Sequence, residues 1–79
     1  MRADDITIDM VLIADTSCNG THLIQVQEVT KESPARVMGK IIHIIKPEEK
    51  GKKPIKVGDE RDYGVRNCYP ESEIKRFLK

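Results

Sequence analysis

Tryptophan is absent from this 79-residue chain, and the other aromatics amount to two tyrosines and one phenylalanine. So few rings offer little platform for stacking the successive bases of a single strand. Cysteine is equally scarce. Cys18 and Cys68 permit one pairing only, and the acidic start at residues 1–5 lacks the cationic-then-apolar order of a secretory leader. The expected compartment is therefore the reducing cytoplasm, with both thiols free. Long apolar runs are missing too: residues 10–14 fall far short of the roughly 18 that a membrane span needs. A chain this short hides only about 60% of its unfolded surface, which leaves little room for a deep, dry catalytic pocket. These absences predict one domain over residues 1–79, with no membrane contact, no cofactor and no enzymatic activity.

What the chain has is charge, unevenly placed. The formal net charge is +1. Residues 1–30 carry one basic against five acidic side chains, net −4, whereas residues 31–79 carry 13 against 8, net +5. A polarised surface of this kind is a hint of an anionic partner. The densest basic stretch is the loop at residues 46–54, Lys-Pro-Glu-Glu-Lys-Gly-Lys-Lys-Pro.

The hydrophobic pattern has period two. Ile6, Ile8 and Met10 alternate with polar residues and predict a half-buried strand that continues through Val11, Leu12 and Ile13. Asn19-Gly20 follows, and both residues accept the positive φ of a type I′ hairpin turn. The return strand is expected over residues 21–29, out of strict register and therefore bulged. Four isoleucines at positions 41, 42, 44 and 45 predict a strand buried on both faces, with Lys40 and His43 on opposite sides. After the basic loop come a short strand at residues 55–57, a turn at Gly58-Asp59-Glu60, and a strand at 61–65 with Arg61, Tyr63 and Val65 on one face. Residues 70–78 read as a short helix. Pro70 suits its first turn, Glu71 and Glu73 its N-terminal end, and Lys75, Arg76 and Lys79 the other end. Its stripe of Ile74, Phe77 and Leu78 must bury against something, and the open end of the sheet is the expected target.

The predicted fold class is mainly β: a small five-stranded antiparallel barrel with a short C-terminal helix. The strand count, with Gly39-Lys40-Ile41-Ile42 followed by Val57-Gly58-Asp59-Glu60, resembles the Src-homology-3-like small barrels, which include the KOW-type and Tudor-type modules. The resemblance covers about two-thirds of the chain and implies a closed sheet that binds rather than catalyses.

Five groups of residues bear on chemistry. Cys18, His22, His43 and Cys68 supply two sulfurs and two imidazoles, a zinc-compatible set. They lack a Cys-x-x-Cys knuckle, and His43 sits inside an apolar strand, so no metal is expected. Cys68 precedes a helix start and follows Arg66, both of which lower a thiol pKa, yet no base accompanies it and a packed cysteine is expected. Glu48-Glu49 and Asp59-Glu60 are adjacent pairs whose side chains diverge. The candidate nucleic-acid contacts are Lys50, Lys52, Lys53, Lys56, Arg61 and Arg66, acting on phosphates with little sequence preference. The alternative partner is a protein, met by Tyr63 and Tyr69 in a groove or at a sheet edge, or by a second copy of the chain.

Overall fold

A computed structural model describes residues 1–78, so Lys79, assigned to the end of the C-terminal helix from sequence, lies outside the described residues. Five strands run β1 (Val11–Asp15), β2 (Thr21–Thr30), β3 (Arg36–Lys46), β4 (Glu60–Gly64) and β5 (Cys68–Pro70). All pairings are antiparallel, and the sheet order is β4-β3-β2-β1-β5. The first four strands form a meander. A 3-10 turn at Val65–Asn67 then carries the chain back to pair with the far side of β1.

The two long strands define the shape. Register shifts at Thr21/His22, Leu23/Ile24 and Val26/Glu28 interrupt the β2–β3 ladder. Bulges bend a strand and strengthen its twist, which curls the sheet around an inner core. Leu12 and Ala14 of β1, Ile24 and Val26 of β2, and Val37 and Ile41 of β3 meet there, each fully buried. Each large aliphatic among them contributes about 1.5–3 kcal/mol by leaving water. Gly39 makes this packing possible, since a Cβ there would lie 2.8 Å from Ile24 Cδ1.

A second, smaller apolar cluster forms on the outside. Ile13 is paired with Leu23 on one side and Tyr69 on the other, and Leu23 continues the row to His43. Ile13 and Leu23 are buried, and the turn at Glu71–Arg76 packs over β1 and β5. Phe77 closes on Tyr69 with ring centroids 5.4 Å apart, and the Arg76 guanidinium lies 5.4 Å from the Tyr69 ring centroid.

Several expectations need correction. Residues 6–10 are not a strand: Ile6 is buried, but Ile8 is 55% exposed. Asp9 takes a positive φ of 71° and Met10 N–H bonds the Thr7 carbonyl, so the chain turns where the alternation suggested extension. The β1–β2 hairpin exists without a two-residue Asn-Gly turn. Its connection is the 3-10 turn at Ser17–Asn19 plus Gly20, and positive φ falls on Ser17 and Gly20. Residues 55–57 form no strand, although Ile55 is buried. β3 is buried on one face in its first half and little on either face later, because the C-terminal turn covers β1 and β5 instead. The helix at 70–78 is a six-residue 3-10 turn, Glu71–Arg76. Pro70 remains extended and paired with Leu12, so Cys68–Pro70 becomes a strand that the pattern did not reveal. The apolar stripe lies on the outer face rather than in an open end; Ile74 and Phe77 are half-buried and Leu78 is exposed. The sheet is not closed into a barrel: among the described residues β4 and β5 are its two edges. No described helix is long and apolar enough to cross a membrane.

Candidate functional site

The loop between β3 and β4, residues 47–59, is tied down at several points. Glu49 N–H bonds the Cys18 carbonyl at 2.9 Å, fixing the loop to the β1–β2 connection. Lys52 N–H closes a turn onto the Glu49 carbonyl at 3.0 Å, with Gly51 at the positive-φ position that such a turn reserves for glycine. Ile55 is buried and its N–H donates to Glu48 Oε1 at 3.1 Å. Asp59 Oδ2 accepts from Lys56 N–H at 3.0 Å, and the C-terminal end of the loop rejoins β3 where Ile41 exchanges hydrogen bonds with Gly58 and Asp59.

These contacts sort the loop's charges. Glu48 and Asp59 turn inward to cap backbone N–H groups and are half-buried. Lys50, Lys52, Lys53 and Lys56 are exposed, and none has an ion-pair partner among the described residues. Arg61 joins them: its Nη2 donates to the Pro54 carbonyl at 3.4 Å, and with Lys53, Pro54, Asp59 and Glu60 it borders a cleft of about 400 Å³. Arg66 does not. It lies past the far end of β4, in the Val65–Asn67 turn, so the six cationic candidates do not form one patch. Nor do the two halves of the sequence stay apart. Lys31 approaches Asp4 at 3.8 Å, bringing second-half basic charge against an N-terminal acid.

Arg66 instead borders a groove of about 700 Å³ whose walls include Ala35, Arg36, Asp62, Tyr63 and Asn67. Arg36 and Asp62 pair between β3 and β4 at its border, 2.7 Å apart. Sequence reasoning missed this groove, because its walls are brought together by the β3–β4 ladder and share no motif.

The tyrosines also separate. Tyr63 is 5% exposed and faces the inner core, with its hydroxyl 2.7 Å from His22 Nε2. Tyr69 sits on the outer face under Phe77 and Arg76. They therefore do not line one groove. Burial first, with Cys68 and Asp59 adding to it and Arg61 opposing, pushes the Tyr63 phenol up to about 12. It stays a neutral hydroxyl.

His22 is fully buried; desolvation first, and the Arg61 guanidinium second, lower its pKa. Its Nδ1 has no hydrogen-bond partner. The pairings His22–Ala14 and Ala14–Cys68 set His22 and Cys68 in one inner row, while His43 is exposed in the outer row. Among the described residues no three His, Cys, Asp or Glu side chains are grouped as metal ligands would be. Burial pushes the Cys68 thiol up to about 11, opposite to the activation its neighbours in sequence suggested, and its Sγ–H points to the Gly64 carbonyl at 3.6 Å. The sequence did hold a signal for the buried pair: His22 is in phase with Ile24 and Val26, so a polar ring in the core had to find a partner.

Comparison of the chain with protein-family models, curated proteins and solved structures finds no match.

Proposed function

We propose that this domain is a non-catalytic binding module that holds the phosphate backbone of nucleic acid weakly through its β3–β4 loop. The observation that carries the reading is the sorting of charge within that loop. Its half-buried acids, Glu48 and Asp59, cap the backbone, and the four exposed lysines, Lys50, Lys52, Lys53 and Lys56, outnumber the one exposed acid, Glu49. Arg61 extends the same basic edge, whereas Arg66 stands apart. No aromatic ring belongs to the loop, so contact is to phosphates and not to bases, with little preference for sequence. The sheet order β4-β3-β2-β1-β5, with a 3-10 turn returning the chain to β1, supports a Src-homology-3-like layout for the module. The two free thiols suit a cytoplasmic setting.

The test is a titration of fluorescently labelled RNA and duplex DNA at 50 and 200 mM salt. Four phosphate contacts predict a loss of affinity of about a hundredfold across that range. Replacing Lys50, Lys52, Lys53 and Lys56 together by glutamine is expected to reduce the salt dependence to that of the remaining Arg61 contact. Absence of binding at low salt, or undiminished binding by the quadruple variant, overturns the reading.

A second reading, docking of a protein, is favoured by the groove of about 700 Å³ beside β4. A partner that co-purifies and is lost on Arg66→Glu supports it. A monomer with no partner counts against it.

A further inference from the structure

Tyr63 and His22 are 41 positions apart, and their hydrogen bond links β4 to β2 across the interior, bypassing β3. The rings meet at 5.4 Å between centroids with their planes tilted by 59°. On this open sheet, whose edges share no ladder, that contact is a cross-tie between the β4 edge and the centre of the core.

The tie tolerates only one charge state. The Tyr63 hydroxyl has no other hydrogen-bond partner, so the neutral tautomer that satisfies it keeps its hydrogen on the orphaned Nδ1 and lets Nε2 accept the Tyr63 O–H. A second proton on the ring reverses the bond, since Nε2–H must now donate. The Tyr63 hydrogen is then stranded as well as the one on Nδ1, and the ring carries a buried charge. The groups around the imidazole offer no relief. β1 places Ala14 beside it, β3 places Ile44, and β5 places Cys68 in the same row. β4 contributes Tyr63 itself and the like-charged Arg61, and Asp59 acts on Tyr63.

We propose that His22 and Tyr63 form an acid-released latch: protonation of His22 frees Tyr63, loosens β4 and opens the groove that Tyr63 borders. The folded imidazole binds its proton less readily than an unfolded one, because burial and Arg61 disfavour the charge. The latch is therefore fully closed above pH 6.5. It weakens as the pH falls below that value toward the lowered folded pKa.

The experiment is backbone hydrogen exchange on the full chain from pH 7.5 to 5, corrected for intrinsic rates. Protection at Arg61 and Tyr63, whose N–H groups face β3, is expected to fall by up to about tenfold per pH unit below 6.5, and to fall earlier than protection at Leu12, Ile13 and Ile24. His22→Gln is expected to remove this dependence, and His43→Gln, at an exposed position, to retain it. Parallel loss of protection in β4 and β1, or an unchanged response in His22→Gln, overturns the latch. Direct NMR titration of the His22 ring in the unaltered chain gives a second arm if that variant fails to fold. A midpoint below 6.5 supports the latch, and one at or above 6.5 removes it.

Discussion

Gly20 shows how much of this fold depends on a missing side chain. Its φ of 84° is a region that L residues avoid, and any Cβ would collide with the Lys46 carbonyl and the Pro47 backbone. Both objections act together, so Gly20→Ala is expected to destabilise the domain by at least about 2 kcal/mol, read as a lowered midpoint in urea. Tyr63→Phe tests a different quantity. It keeps the ring and removes the hydroxyl, leaving His22 buried without any partner. A buried polar group that loses its partner costs about 1–3 kcal/mol, and the same urea titration at pH 7.5 should register that loss.

The β3–β4 loop behaves as an element although it contains no strand. Ile55 is its hydrophobic foot and Glu48 its internal cap. Glu48→Gln and Glu48→Ala remove the same charge, but only glutamine preserves an oxygen for Ile55 N–H. The alanine variant is expected to be less stable than the glutamine variant by about 0.5–1.5 kcal/mol. It is also expected to bind polyanions more weakly than the glutamine variant at equal net charge, measured by the labelled-RNA titration. The C-terminal turn depends on Phe77, which is half-buried against Tyr69. Phe77→Ala is expected to cost about 1–2 kcal/mol, since it exposes the outer cluster around Ile13. Legibility differed between elements for identifiable reasons. β2 and β3 were evident because their β-branched residues follow a pattern set by their own pleat. The start of the chain was misread because Ile6 and Ile8 alternate, while the positive φ of Asp9 turns the backbone before the alternation can matter. Pro70 misled for a related reason. A proline can open a helix or end an edge strand with equal ease, and the choice was made by pairing with Leu12, a partner 58 positions away.

At the scale of the molecule, sequence described the charge of the two halves but not their mixing, which needs the contact of Lys31 with Asp4. It described a β-rich chain and the right number of strands, but with one at residues 55–57 in place of Cys68–Pro70, and not where the strand order would leave its edges. Those edges are blunted. β4 carries Glu60, Arg61 and Asp62, and β5 is three residues long and ends at Pro70. Charge and proline on short edges oppose sheet-to-sheet pairing, so sedimentation at neutral pH should report a monomer at every concentration. The clamped loop carries a kinetic consequence as well. Its backbone is already held at Cys18, at Glu48 and along β3 before any ligand arrives. Only the lysine side chains are left to settle, and a polyanion would meet a ready-made comb of charges rather than a tether that must first be reeled in.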